Sequence, residues 1–455
     1  MNYADFLASK APVAQPCGFE PGPMPAHLFD YQADVVGFLL RQGRGAAFLD
    51  TGLGKTAIQL EWCRQAAGAT NGIALILTPL AVARQIETEG KKFGYECRVV
   101  RDQSQVSAGI NICNYDRLDK LDTATFGAVS LDESSVLRSY TGATTRALIA
   151  AFKDTRFKLC CTATPAPNDH MELGQHAEFV GVMPSNEMLM RWFVSDQTQM
   201  GRYRLKSHGE GNFWDWMATW ARCAETPADL GYDGSRFVLP ELKVIRHRAA
   251  GDVRAPAGVL FMQELSATNI HDVKRQTAEA RADAVAELVE NEPDESWLIW
   301  VDTDYEADAV MRRLSDAIEV RGSQTPEQKE AGLMGFLTNG KPLVTKPGIA
   351  GMGLNYQHCA RQAFIGRSFS YEAWYQAVRR CWRFGQKRPV HVHLIVAEGE
   401  DQIGRVIDRK AGDHAKMKRA MADAMKRSRV GASNLKVAYN PTHIAEVPSW
   451  LKSAA

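Results

Sequence analysis

The chain has 455 residues, too many for one compact core, so two or three domains are expected. With 45% hydrophobic and 24% charged residues it has an ordinary globular composition, and no apolar run approaches the roughly 20 residues that a membrane helix needs. A net charge of +1 announces no nucleic-acid partner in bulk, so a polyanion would have to be met by local basic patches.

The first residues, 1–23, lack a basic start followed by an apolar stretch, so no secretory leader is expected. The nine cysteines are scattered without a C-x-x-C pair, and Cys160 and Cys161 lie inside an apolar run. That pattern predicts buried thiols in a reducing compartment, and argues against disulfides and structural zinc. A cytoplasmic location follows as an expectation.

Short β-like runs then alternate with helix-like stretches. Ala46 to Leu49 precedes a glycine loop, and Ile73 to Leu77 ends at Thr78-Pro79. Ala128 to Leu131 ends at Asp132, and Lys158 to Cys161 ends at Thr162. Amphipathic segments such as Thr56 to Ala66 lie between them. Repeated strand, polar loop and helix predict a parallel sheet covered on both faces, with ligand groups at the carboxyl ends of the strands.

From residue 183 to 240 the rhythm breaks. This stretch is rich in aromatics (Trp192, Phe193, Tyr203, Phe213, Trp214, Trp216, Trp220) and in basic residues (Arg202, Arg204, Lys206). Packing onto the first lobe is the expected role of its aromatics, with stacking on unpaired bases or a partner protein as the other readings. A second alternating unit follows. Trp297 to Val301 runs into Asp302-Thr303-Asp304, Pro342 to Thr345 into a glycine-rich loop, Ala363 to Ile365 into Gly366-Arg367, and Val390 to Val396 comes last. Residues 409–429 form a basic helical stretch (Lys410, Lys416, Lys418, Arg419, Lys426, Arg427), ordinarily solvated but able to brace a nucleic-acid backbone. The expected division is an N-terminal extension (1–27), a first lobe (28–182), a helical insert and linker (183–248), a second lobe (249–410), and a basic helix with tail (411–455).

Three segments carry chemistry. In Asp50-Thr51-Gly52-Leu53-Gly54-Lys55-Thr56, glycines between a strand and a helix let backbone N–H groups face phosphate oxygens. Lys55 would reach the β- and γ-phosphates and Thr56 a magnesium ion. Leu49 stands where the general phosphate-loop pattern has its first glycine. Next, Val129-Ser130-Leu131-Asp132-Glu133 is an apolar run ending in two acids. Asp132 is expected in the Mg²⁺ shell, with Glu133 as the base for the attacking water. Third, Arg380 and Arg383 lie three apart on a helix and could neutralise charge building on a γ-phosphate. Taken alone, each has an ordinary reading as a glycine turn, a loop acid pair or a solvated helix face. Their joint occurrence in this order favours one site.

The sequence resembles superfamily 2 helicase-type ATPases, most closely the Swi/Snf-type DNA translocases in the compact form encoded by phages and prophages. Leu28-Phe29-Asp30-Tyr31-Gln32 is similar to the segment that reads adenine, with Gln32 on the base. Thr51 to Thr56 resembles motif I, Leu77-Thr78-Pro79-Leu80 motif Ia, Asn114-Tyr115 motif Ib, Asp132 to Ser135 motif II and Thr162-Ala163-Thr164-Pro165 motif III. Gly348 to Asn355 looks like motif V, and Gln376 to Gln386 like motif VI with its Arg-x-Gly-Gln ending. The likeness spans about residues 28–410. It departs in motif II, which reads Asp-Glu-Ser-Ser, and at Lys346, which stands near the usual hydroxyl of motif V. The segment 173–240 is also shorter than the paired protrusions of chromatin remodellers, and no reader module accompanies it.

The resemblance implies an α/β fold of two RecA-like lobes, each a mostly parallel sheet covered by helices, with the aromatic insert between them. It implies ATP and Mg²⁺ in the cleft. Thr51, Gly52, Leu53, Gly54, Gly353 and Gln376 add nucleotide contacts, and Thr162 and Thr164 couple the γ-phosphate to the second lobe. Nucleic acid is expected across both lobes, at Thr78, Arg84, Asn114, Arg117, Lys346 and Arg367. The expected function is a duplex-DNA-stimulated ATPase and translocase, acting as a monomer on nucleic acid in a bacterial host cell. A strand-separating DNA or RNA helicase is the alternative. From another class comes an ATP-dependent switch acting on a protein partner in phage replication, recombination or defence.

Overall fold

The computed structural model describes residues 13–139, 142–195, 203–249, 267–350, 355–397 and 401–430. Among them, the strands of the first half are β1 (Arg44–Leu49), β2 (Ile73–Thr78), β3 (Cys97–Val99), β4 (Gly109–Asn114), β5 (Ala128–Asp132) and β6 (Phe157–Cys161). A small antiparallel hairpin, β7 (Phe193–Ser195) and β8 (Tyr203–Leu205), precedes β9 (Ala221–Ala224) and β10 (Leu242–Arg248). The last strands are β11 (Trp297–Trp300), β12 (Ile318–Val320), β13 (Leu343–Thr345), β14 (Arg361–Phe364) and β15 (Val390–Val396).

They assemble into a parallel sheet in the order β3-β4-β2-β5-β6-β1-β9 and a second in the order β10-β15-β14-β11-β13-β12. Strands buried on both faces can be apolar without interruption, as Trp297-Leu298-Ile299-Trp300 is. Their alternation then sorts side chains into two cores. Ala46 and Phe48 of β1 face one core of the first lobe, while Ala47 and Leu49 face the other. In the second lobe Leu298 and Trp300 face one side, and Trp297 and Ile299 the other. This is a two-lobed α/β architecture of RecA-like units.

Strand pairing runs across the expected boundaries. The insert reaches into both sheets, because β9 pairs with β1 and β10 pairs with β15. The second lobe therefore takes its edge strand from before residue 249. The insert's aromatics are core: Trp192, Phe193, Phe213, Trp214, Trp216 and Trp220 are buried, with Trp192 and Trp216 stacked at 4.7 Å between centroids. Burial removes these rings from any role in stacking on bases. Arg202 lies outside the described residues.

A division at 410 would cut a continuous 30-residue helix, Asp401–Val430. Met417, Met421 and Met425 fall four apart on one face and are buried in the same core as the insert's tryptophans. Near the start of the helix, Ile403 and Ile407 pack on Tyr371 of the second lobe. Its basic residues are accordingly not all solvated. Lys410 bonds Asn168 Oδ1 at 2.8 Å, and Arg427 pairs with Asp215 at 2.7 Å.

All nine cysteines are free, and eight are buried. Among the described residues, no helix is long and apolar enough to cross a membrane.

Candidate phosphate site between the lobes

The glycine loop joins β1 to the helix Lys55–Gly68, and two of its residues require glycine. Gly54 caps the helix at φ +72°, and a Cβ there would lie 2.1 Å from the Gln32 amide nitrogen. Gly52, at φ +90°, lies under the second lobe, where a Cβ would come 2.9 Å from Phe384 Cβ. The loop thus leads directly into a helix N-terminus, the arrangement that suits an anion. Lys55 Nζ curls back over the loop and donates to the carbonyls of Leu49 (2.9 Å) and Asp50 (3.3 Å). Burial lowers its pKa, against the attraction of Glu133, Asp50 and Asp132. Leu49 itself is wholly buried in β1.

Gln32 braces this loop. Its Nε2 donates to Leu53 O (3.1 Å) and Tyr31 Oη (3.3 Å), and its Oε1 accepts from the Phe29 amide. Only 4% exposed, it ties the helix Asp30–Gln42 to the glycine loop.

At the end of β5 stand the two acids. Asp132 is fixed by its own lobe: Gln59 Nε2 donates to Oδ1 at 2.8 Å, Thr78 Oγ1 donates to Oδ2 at 2.9 Å, and Tyr115 Oη donates to its carbonyl at 2.6 Å. Thr78, expected at the nucleic-acid surface, is buried and engaged by Asp132. Glu133 sits in the left-handed region at φ +50°, which costs of order 1 kcal/mol outside glycine. Burial, then the nearby charge of Asp132, pushes its carboxyl up, while Lys55 and Arg380 oppose. Thr162 Oγ1 donates to Glu133 Oε2 at 3.5 Å and accepts from the Thr164 amide at 3.1 Å. The two residues expected to couple the lobes thus start from the acid pair.

The second lobe contributes the helix Tyr371–Cys381, capped by Ser370, whose hydroxyl accepts from the Ala373 amide. Arg380 is buried, and the pull of Glu133 and Asp132 opposes the lowering that burial imposes on its guanidinium. Arg383, just past the helix, is lowered to about 10 by burial and by Arg380 and Arg379, against attraction from Glu89 of the first lobe. Its buried Nε has no hydrogen-bond partner. Gln376 is partly buried, one turn before Arg380. Gln386 is structural: its amide nitrogen donates to the carbonyls of Gln357, Cys359 and Cys381.

No protein family and no curated protein matches the chain. Among solved structures it is similar to the Sulfolobus solfataricus SWI2/SNF2 ATPase core in complex with dsDNA, at TM-score 0.42 and 16% identity, over 90% of this chain and 97% of that one.

The other expected contacts are dispersed. Arg84 and Arg117 are exposed on the first lobe, whereas Asn114, at the end of β4, is buried. Lys346 follows β13 and pairs with Asp304 at 2.9 Å, and Arg367 follows β14. Gly353 lies outside the described residues.

Asp50, Tyr375, Arg379 and Lys418 were given no role in the site by the sequence reading. The Asp50 carboxylate pairs with Arg379 (2.9 Å) and Lys418 (3.3 Å), and accepts from the Tyr375 hydroxyl and the Thr51 amide. The nearest signals were an acid directly before the loop, an arginine adjoining Arg380, and the methionine spacing that seats Lys418.

Proposed function

We propose that the chain is an ATP-driven nucleic-acid motor that hydrolyses ATP in the cleft between its lobes, stimulated by duplex DNA. The observation that carries the reading is convergence. Lys55 and the loop, the strand-end acids Asp132 and Glu133, and the second-lobe guanidinium of Arg380 meet from segments more than 300 residues apart in sequence, with Arg383 beside Arg380 and drawn to Glu89 of the first lobe. Such a set has one positive group for the ground-state phosphates, one base, and two cations for charge that develops during transfer.

In this reading the loop amides and Lys55 hold the β- and γ-phosphates. Glu133, its carboxyl raised by burial, takes the proton of the attacking water. Arg380 and Arg383 stabilise the transferring phosphoryl group, which ties hydrolysis to lobe closure. Magnesium fits the donor set: among the described residues no cluster of three or more His, Cys, Asp or Glu offers a protein cage, but Asp132 supplies an oriented carboxylate and Thr56 a hydroxyl. When bound, the ion would neutralise phosphate charge. Duplex DNA as the stimulating polymer rests on the Swi/Snf-like motifs of the sequence. Backbone contacts at Arg84, Asn114, Arg117, Lys346 and Arg367 would give grip without reading bases.

The test is an ATPase profile with no nucleic acid, duplex DNA, single-stranded DNA and RNA. Stimulation greatest with duplex DNA is expected. Greater stimulation by single strands or RNA would move the reading to a strand-separating helicase. Equal turnover under all conditions would overturn it in favour of a switch on a protein partner. Glu133→Gln is expected to bind ATP yet stop turnover, checked by nucleotide binding beside phosphate release.

A further inference from the structure

We infer that Asp50, Tyr375, Arg379 and Lys418 form a positioning clamp that sets the second lobe's arginines in register with the phosphate loop, and that the C-terminal helix is thereby part of the hydrolytic unit. The inference rests on the functional reading above for its catalytic consequence, and on geometry alone for its effect on the lobes.

Three distant segments meet at one carboxylate. Asp50 opens the loop, Tyr375 and Arg379 lie on the arginine helix, and Lys418 lies on the C-terminal helix. Lys418 Nζ also donates to the Tyr375 hydroxyl at 2.9 Å and pairs with Glu225, after β9, at 3.3 Å. Arg379 does more than pair with Asp50. Its Nε donates to Thr51 Oγ1 at 3.1 Å and its Nη2 to Thr51 O at 3.2 Å, so it holds loop backbone as well as charge. The side chains of Asp50, Arg379 and Lys418 are only 8%, 6% and 10% exposed. An exposed ion pair contributes almost nothing, but removing one member of a buried set leaves an uncompensated charge, so separation here is strongly resisted.

The sequence position of Arg379 gives the clamp its purpose. One residue further is about 100° around a helix, which turns Arg380 away from Asp50 toward the acid pair. Arg383 follows one turn on. Fixing Arg379 to the loop fixes both the rotation and the height of the helix that delivers the other two. Phe384 completes the docking, since it packs on the first lobe's core and touches Gly52.

Lys418 is placed by a helix seated on both lobes. Its early turns hold Tyr371 of the second lobe, where His414 also bonds the Tyr371 hydroxyl, and its methionines enter the core of the first. When the lobes part, this helix cannot keep both seats. Lys418 therefore bonds the loop and the arginine helix together only in the closed arrangement.

The experiment measures two things on the full chain. One is steady-state ATP hydrolysis. The other is the distance between spin labels at Asp154→Cys in the first lobe and Asn339→Cys in the second, in a Cys17→Ser background without nucleotide. Lys418→Met is expected to lower kcat about tenfold, change KM for ATP less than about twofold, and shift the label distance toward separation. Lys418→Arg is expected to restore both readouts. Tyr375→Phe, which keeps the ring and removes only the hydroxyl, is the mild variant that keeps the test decisive if Lys418→Met folds poorly, and is expected to move both in the same direction. Unchanged kcat and unchanged distance in Lys418→Met and Tyr375→Phe would overturn the clamp. Absence of ATP hydrolysis in the unmodified chain would instead overturn the functional reading, and the distance arm would still decide the clamp.

Discussion

Two carboxylate clusters flank the same loop, and they are built in opposite ways. Asp132 is held by Gln59, Thr78 and Tyr115, all of its own lobe. Asp50 is held by Tyr375 and Arg379 of the second lobe and by Lys418 of the C-terminal helix. The first geometry survives any separation of the lobes, whereas the second exists only while they are together. The acid expected to hold magnesium is thus prepared within one lobe, whereas Asp50 is engaged from both. The proposed motor would need both properties, because hydrolysis before closure would waste its cycle.

Three predictions put this contrast at risk. The largest effect is expected from Arg383→Ala, which removes a cation from the closed site and leaves both carboxylate clusters intact. Turnover should fall about a thousandfold or more, with ATP affinity nearly kept, as measured by single-turnover hydrolysis beside equilibrium binding. Near-normal turnover would show that the second lobe does not complete the site.

A smaller effect is expected from Gly52→Ala. The added methyl would meet Phe384 across the lobe junction, 2.9 Å from its Cβ, at a backbone angle that disfavours side chains. It should hold the lobes apart by a fraction of an ångström to an ångström and lower kcat by about a hundredfold. The Asp132 cluster, being local, should be undisturbed, so nucleotide binding should weaken far less than turnover. Equal loss of both would mean that Gly52 acts only through the loop's own shape.

How much of this was legible follows from the same contrast. The glycine loop, Asp132-Glu133 and Arg380/Arg383 could be proposed as one site because each is a short run at a strand end or on one helix face, with its chemistry written locally. Strands such as Ala128–Asp132 and Val390–Val396 were equally visible as apolar runs. The Asp50 clamp was not, since Tyr375 lies 325 residues from its partner. Lys418 looked like one lysine on a solvated basic face, until the seating of Met417, Met421 and Met425 fixed which way that helix turns. Thr78 stood at a motif position facing nucleic acid in expectation, but its hydroxyl is engaged inside the lobe by Asp132. Edge strands β9 and β10 were hidden because an edge strand can be short or polar, as Leu242–Arg248 is.

The smallest effect is a difference in pH response. Burial raises the Asp50 carboxyl, but Lys418, Arg379, Tyr375 and the Thr51 amide together outweigh it and hold it below the usual 3.8. Glu133 goes the other way, above the usual 4.5, through burial and then Asp132. For Asp50 the folded chain binds its proton more weakly than the unfolded chain, so its contribution to stability is complete above 3.8 and lost as pH falls through the lower folded value. For Glu133 the sign reverses: its contribution is complete below 4.5 and is lost as pH rises through the raised folded value. Only the deprotonated glutamate can accept a proton from water. Hydrolysis should therefore decline on an acid limb that lies above pH 4.5, by about tenfold per pH unit below the folded value. Across that limb Asp50 stays charged, so the label distance between the lobes should not move. A single-turnover rate profile and the distance, both followed from pH 8 down to 4.5, check the pair. If the distance changes in step with the rate, the chemical acid and the closure acid are coupled, and the division of labour between the two clusters fails.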